Sequence, residues 1–353
     1  MKPTFASLAA VAAIAAAPLV APAQTYVYEG LIDLDTTGPL ALAGDAAGNL
    51  YAVTFVTGAT GGSLIYIEDP ISEIDTSGDF PDDPSGVEVF DVDGWPSGRS
   101  LMGVAVDSTG NVYVSGDDGA GTFIVKLSPA PDFDEITDFD ASGIGTRIGG
   151  VTLMNDDIIV AVAFGSLLFI DTEDGSLLET ASGAPNFQRS VAYNPADEVF
   201  YPFSNGADSA VMVRGYFSGG SATDLGGFGF TADEMISDGA VDSQFGGATQ
   251  HGFFDTVSGR LISADTQDND TGVRQTRIWD VSGDGTTLTL AQAVDADTPD
   301  ADGAGQPFPL ESPRDAVVIG DRLYVSTTNN DGSLYVFIDE DAVTSVSDWT
   351  LFN

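Results

Sequence analysis

One strand–turn–strand pattern recurs six times along the chain and sets its fold class. In the two clearest copies, residues 41–54 and 104–115, an apolar segment leads into Asp-x-x-Gly-Asn and a second apolar segment follows. Gly and Asn supply the positive φ that tight hairpin turns require. An aliphatic residue opens the second segment of each copy, at Leu50, Val112, Ile158, Val199, Leu261 and Leu323. Their spacing runs from 41 residues (Ile158 to Val199) to 62 residues (Leu50 to Val112), which fits one four-stranded blade per repeat.

The other strands of each blade are also visible in the sequence. A third apolar segment follows each hairpin, at residues 63–67, 122–127, 167–170, 211–213, 276–279 and 334–338. Outer strands often end in an apolar residue or Thr, then Asp, an apolar residue and Asp, as at 90–93 and 137–140. The same signature occurs at 32–35, before the first repeat, and residues 346–352 compete for the same place in the fold. The sequence therefore predicts an all-β fold, a six-bladed β-propeller of four-stranded antiparallel blades, with the ring closed by the mature N-terminal strand.

The first residues have the pattern of an export signal. Lys2 precedes an Ala-rich apolar run at residues 8–20, and Ala21-Pro22-Ala23 forms a small-x-small cleavage pattern. The run is shorter than a transmembrane helix requires. We therefore expect residues 1–23 to be a removed signal peptide and residues 24–353 to form a single propeller domain. The product is expected to be secreted or periplasmic, without membrane insertion.

Two of the repeats resemble those of a known propeller superfamily. Residues 103–114, Gly-Val-Ala-Val-Asp-Ser-Thr-Gly-Asn-Val-Tyr-Val, look like the repeat of NHL and SMP-30/gluconolactonase-like propellers. Residues 312–325 are similar to the Pro-Asp-Gly-hydrophobic stretch of those proteins, although Arg314 stands where that pattern has Asp. The resemblance implies a propeller superfamily that includes both non-catalytic binding proteins and lactonases with one divalent metal held by Glu, Asn and Asp. Because of Arg314, that metal triad is not assembled from matched positions.

The charge balance restricts the partners of the chain. Asp and Glu number 54 against 11 Lys and Arg, which gives a formal net charge of −43. Such a field repels nucleic acid and anionic membranes, so neither is an expected partner. Two explanations remain open: a halophilic surface whose self-repulsion salt screens, and cation binding. The absence of Cys excludes thiolate metal sites and a Cys nucleophile.

Basic residues recur just before the predicted innermost strands. Arg147, Arg189, His251 and Arg314 occupy comparable entry positions, with Asp315 beside the last of them. Loops between the second and third strands are rich in Asp and Asn, including Asn329. These segments share one face of a propeller, so the sequence predicts a polar funnel at the channel mouth that holds a metal or an anionic or sugar-like ligand. The alternative is that each Arg pairs with a carboxylate of the neighbouring blade and only joins the blades together.

Two further patterns bear on chemistry. His251 is the single histidine and would be the general base of a hydrolytic site, but no Gly-x-Ser-x-Gly motif accompanies it. The segment from 295 to 311 is dense in oxygen ligands and predicts an irregular loop for Ca²⁺ or another divalent cation. Its candidate ligands are Asp295, Asp297, Asp300, Asp302 and Glu311.

These observations favour an exported, non-catalytic propeller that binds a small molecule or a protein partner on its loop-rich face. The chain is expected to be a monomer, since no pattern in it predicts assembly. A metal-dependent lactonase or related hydrolase and a structural surface protein are the alternatives. Function in a propeller depends on residues grafted onto the rigid ring, so the fold alone does not decide among them.

Overall fold

A computed structural model shows an all-β chain built as a β-propeller. It describes residues 25–34, 39–54, 62–76, 87–90, 100–117, 121–139, 148–163, 165–182, 188–204, 212–217, 228–236, 247–268, 274–283, 285, 288–295, 297–299, 310, 312–327 and 332–341. Among these residues, five sheets are four-stranded and antiparallel, and each runs outward from an innermost strand.

Three of the four-stranded sheets follow one another in the first half of the chain. The first contains β2 (Pro39–Gly44), β3 (Leu50–Thr54), β4 (Leu64–Ile67) and β5 (Val87–Phe90). The second contains β6 (Ser100–Val106), β7 (Val112–Asp117), β8 (Thr122–Leu127) and β9 (Glu135–Phe139). The third contains β10 (Ile148–Asn155), β11 (Ile158–Ala163), β12 (Ser166–Asp171) and β13 (Leu177–Ser182). A short 3₁₀ helix, Pro70–Glu73, lies between β4 and β5.

The other two four-stranded sheets lie in the second half. One contains β18 (Gly247–Asp255), β19 (Arg260–Asp268), β20 (Gln275–Val281) and β21 (Leu288–Val294). The last contains β22 (Pro313–Ile319), β23 (Arg322–Thr327), β24 (Leu334–Asp339) and the N-terminal strand β1 (Tyr26–Ile32), which pairs with β24. The predicted third strands are thus present in these sheets, and β1 supplies the outer strand of the last one.

The fourth repeat differs from the sequence prediction. Here β14 (Gln188–Asn194) pairs with β15 (Val199–Ser204), and β16 (Met212–Phe217) pairs with β17 (Phe228–Ile236), as two separate two-stranded sheets. The described residues therefore contain five four-stranded blades and not the predicted six. The sequence offers a reason, because Pro202 removes one amide donor from β15 and Gly215 lies at a register shift in β16.

The Asp-x-x-Gly-Asn motif folds each of its two hairpins around one carboxylate. Asp107 accepts hydrogen bonds from Thr109 N (2.9 Å), Thr109 Oγ1 (2.7 Å), Asn111 N (2.9 Å), Asn111 Nδ2 (2.8 Å) and Tyr113 Oη (3.0 Å). Gly110 between them has φ of 88°, which a side chain would disfavour. The first repeat uses Asp45 in the same way. The repeated motif is therefore a hairpin-building device.

Hydrogen bonds attach β1 to its own sheet and to segments of the two neighbouring repeats. Arg322 of β23 donates to Glu29 through Nε (2.7 Å) and Nη2 (2.8 Å), a bidentate pair that is largely buried. Gln292 of β21 exchanges two hydrogen bonds with the backbone of Tyr26, at 2.9 and 2.8 Å. On the other side, the backbones of Leu31 and Asp75 bond to each other. The N-terminal strand is thus an integral part of the fold.

The Arg322–Glu29 pair gives a first testable prediction. Arg322→Met should lower the free energy of unfolding by about 2 kcal/mol, because it leaves the Glu29 carboxylate poorly solvated and without its partner. Urea denaturation followed by tryptophan fluorescence measures this loss. The double variant E29M/R322M should recover part of it; a double variant as unstable as the sum of both single ones would contradict the pairing.

Candidate functional site

A cavity lies between six strands of the described residues. Successive strands β2, β6, β10, β14, β18 and β22 lie side by side in chain order, and β22 also lies beside β2. The cavity between them has a volume of about 320 Å³ and is lined by residues from all six strands. Most of the lining residues are Ala, Gly, Val, Leu and Met, and polar side chains such as Thr152, Ser190, His251 and Asp315 lie among them. We call this space the channel cavity; mostly apolar concave sites with a few polar groups are typical for small molecules.

Each innermost strand carries a β-bulge near its start. The register with the second strand shifts at residues 39–41, 101–103, 148–151, 188–190, 249–251 and 313–315. Bulges redirect the side chains next to them. The residue directly after each shift lines the channel cavity, and these six are Ala41, Gly103, Val151, Ser190, His251 and Asp315.

The six post-bulge residues divide the channel into two walls. Those of β2, β6 and β10 are small or aliphatic and form an apolar wall (Ala41, Gly103 and Val151). Those of β14, β18 and β22 form a polar wall of Ser190, His251 and Asp315, each no more than 6% exposed. The apolar wall is tightly built, since a Cβ on Gly103 would lie 2.6 Å from Cα of Gly150. The polar side chains that directly follow a bulge are therefore confined to three consecutive strands.

Asp315 is held in place by backbone amides. Its Oδ2 accepts from Leu42 N and its Oδ1 from Ala316 N, both at 2.8 Å, while its own amide donates to Ser326 Oγ at 3.0 Å. Amide donors of this kind stabilise an ionised carboxylate away from water. The bond to Leu42 also connects β22 to the first sheet. Asp315 thus supplies a fixed negative charge at the channel wall.

One ring nitrogen of His251 faces the Asp315 carboxylate, and the other does not. Its Nδ1 lies 3.6 Å from Asp315 Oδ2, whereas its Nε2 is buried without a hydrogen-bond partner in the protein. Ser190 Oγ, on the neighbouring strand β14, is buried without a partner as well. Buried polar atoms of this kind are uncommon in folded proteins and call for an explanation, such as a bound molecule. The polar wall therefore carries two unused hydrogen-bonding positions.

Two arginines predicted for the channel mouth lie one residue before the cavity-lining residues of their strands. Arg189 and Arg314 are half-buried, lie at the bulges of β14 and β22, and do not line the channel cavity. Burial lowers the pKa of Arg314, and the nearby positive charge of Arg189 lowers it further. The two guanidinium groups are thus near each other at the entry end of these strands. Arg147 and Asn329 lie outside the described residues.

The predicted calcium loop is described only in part. Asp295 Oδ1 accepts from Asp297 N at 2.9 Å, and Thr298 Oγ1 accepts from Asp295 N at 2.8 Å, which is an ordinary turn arrangement. Asp300, Asp302 and Glu311 lie outside the described residues. Within the part of the chain that is described, no three His, Asp or Glu side chains are grouped as a metal centre. Calcium binding stays a prediction.

Sequence reasoning found His251 and Asp315 but missed Ser190. The signal was present, because aligning the six repeats at the bulge places Ser190 level with the other two. No Gly-x-Ser-x-Gly motif surrounds Ser190 that would have marked it as a candidate. No family model matches the sequence, and no curated protein matches it. Among the described residues, no helix is both long and apolar enough to cross a membrane.

Proposed function

We propose that the protein is an exported β-propeller that binds a small molecule in its central channel. The observation that carries the proposal is the channel cavity, a space of about 320 Å³ lined by six strands, with polar side chains of three of them on one side. Its volume is at the lower end of the range for small-molecule pockets, so a ligand of one ring or a short chain fits best. His251 and Asp315, expected at the channel mouth, line this space.

We further propose that the ring has six blades and is closed. Strand β15 lies beside β16, and β17 lies beside β13 of the preceding sheet, which suits an incomplete fourth blade made of β14 to β17. The contact of β22 with β2 and the pairing of β1 with β24 support closure by the N-terminal strand. A closed ring leaves no exposed sheet edges at its ends.

Export rests on the sequence. Residues 1–23 match a cleavable signal, so the proposed mature chain begins near Gln24 and acts outside the cytoplasm. The large acidic excess fits a protein that works in a salty medium, where counter-ions screen its charge. The described strands begin at Tyr26, close to the proposed cleavage point.

Filling the channel cavity tests the proposal. Thr152 of β10 lines the cavity and is half-buried, so Thr152→Phe should place a ring inside it, whereas Thr152→Val keeps the original shape. Saturation-transfer NMR with a panel of small aromatic and aliphatic fragments should detect binders of the parent protein and of T152V. The same fragments should bind T152F about tenfold more weakly or not at all. Thermal melts of both variants check folding, and unchanged binding by folded T152F would refute a channel site.

A further inference from the structure

The two walls of the channel cavity select for a molecule with two chemically different sides. The apolar wall of Ala41, Gly103 and Val151 offers no hydrogen bonds from its side chains, so it suits a hydrocarbon surface. The polar wall lies on the three following strands and holds Ser190, His251 and Asp315. A ligand that contacts both walls therefore needs an apolar body and one polar group.

The hydrogen-bonding capacity of the polar wall defines that group. Asp315 Oδ2 faces Nδ1 of His251 at 3.6 Å, and a carboxylate at this position favours the tautomer with the hydrogen on Nδ1. Nε2 is then an acceptor, and it has no donor within the protein. Ser190 Oγ is also unpartnered and can either donate or accept. Together these atoms match a group that both donates and accepts, which a hydroxyl does.

Charge argues against an anionic group at this wall. The Asp315 carboxylate is 5% exposed and accepts hydrogen bonds from two backbone amides. A second negative charge beside it would be repelled. Arg189 and Arg314, the predicted channel-mouth arginines that the structure describes, do not line the cavity. An anionic group is therefore disfavoured at this wall.

We propose that the channel cavity binds a small, neutral, apolar alcohol or phenol. Its hydroxyl donates to His251 Nε2 and accepts from Ser190 Oγ, while its hydrocarbon part lies against Ala41, Gly103 and Val151. Asp315 acts as a positioning residue that fixes the tautomer of His251. This inference rests on the proposed channel site and adds the class of ligand that the site takes.

Three probes of similar shape test the preference by isothermal titration calorimetry. 4-Methylphenol carries the hydroxyl, p-xylene replaces it with a methyl group, and 4-methylbenzoate replaces it with an anion. We expect 4-methylphenol to bind about tenfold more tightly than p-xylene, since one satisfied pair of hydrogen bonds is worth a factor of this order. 4-Methylbenzoate should bind more weakly than both. Equal affinity of 4-methylphenol and p-xylene, or tightest binding of 4-methylbenzoate, would overturn the inference while leaving a channel site in place.

Two serine variants test which side chain produces the preference for 4-methylphenol. Ser190→Ala should reduce the advantage of 4-methylphenol over p-xylene, and Ser115→Ala should not. Ser115 is the matched control, because it is buried, donates to the carbonyl of Gly149 at 2.7 Å and does not line the cavity. An S190A variant with the full preference would contradict the assignment. Failure of all three probes to bind the parent protein would overturn the channel site and the hydroxyl preference together.

His251 can be observed without any substitution. It is the single histidine of the chain, so ¹⁵N-histidine labelling gives one pair of imidazole nitrogen signals. We expect the hydrogen on Nδ1 in the unliganded protein, and a shift of the Nε2 signal on addition of 4-methylphenol but not of p-xylene. A hydrogen on Nε2, or an Nε2 signal that responds equally to both probes, would overturn the inference.

Discussion

Deletion of Tyr26–Ile32 is expected to prevent the mature chain from folding. Four side chains of this strand, Tyr26, Tyr28, Leu31 and Ile32, are at most 3% exposed. Burial of each large apolar side chain contributes about 1.5–3 kcal/mol, so their combined loss is comparable with the whole stability of a typical domain. The deletion also leaves the edge of β24 without a partner. Both effects act on the same sheet.

Circular dichroism and thermal melting of the truncated protein measure this effect. A synthetic peptide covering residues 25–34, added in excess, should restore a cooperative transition, because an added strand can pair with the free edge of β24. A scrambled peptide of the same composition is the control. A truncated protein that melts like the mature chain would show that β1 is dispensable.

Asp107→Ala should have the second-largest effect, a loss of about 3 kcal/mol in the free energy of unfolding. The substitution removes the acceptor of five hydrogen bonds. Tyr113 Oη and the amides of Thr109 and Asn111 then lose the acceptor that Asp107 provides. Denaturant titration measures the loss. Asp174→Ala is the matched control, because Asp174 is exposed and accepts hydrogen bonds only within its own turn, such as that from Ser176 N. Equal stability losses in D107A and D174A would contradict this account.

The stabilisation by Asp107 should also depend on pH. Burial alone raises the pKa of this carboxyl, but hydrogen bonds from Asn111 and Thr109 outweigh burial and lower the pKa below its ordinary value. A carboxyl whose pKa is lower in the folded state stabilises the fold fully above its unfolded pKa, and less as pH falls through the folded value. The stability gap between the parent protein and D107A should therefore be constant near neutrality and shrink in acid. A gap that does not change in acid would contradict the lowered pKa.

The parts of this fold that sequence predicts best are the local ones. Asp45 and Asp107 build their hairpins with partners at most six residues away, so the local sequence alone is enough to predict these turns. The outer-strand signature at residues 32–35 correctly indicated that the N-terminal segment belongs to the last sheet, although the strand itself spans Tyr26–Ile32. Closure of the ring and the count of six blades stay predictions.

The less predictable parts depend on contacts between distant segments. In the fourth repeat, the apolar pattern around residues 202 and 215 is weak, so the sequence does not determine how these segments pair. The sequence therefore did not predict two separate two-stranded sheets there. The channel site depends on bulges, which shift register by one residue and leave little trace in sequence. Ser190 became a candidate only because the structure places it directly after a bulge, as it does His251 and Asp315.

The pairing of β1 with β24 determines how late in synthesis the chain can finish folding. Glu29 leaves the ribosome 293 residues before its partner Arg322, so the last sheet cannot be completed until synthesis is almost finished. Contacts of such long sequence separation slow folding, because loop closure must precede them. Until then, a strand bearing Tyr26, Tyr28 and Leu31 stays unpaired and open to aggregation. This late completion would suit the proposed export, in which the chain crosses a membrane unfolded and folds on the far side.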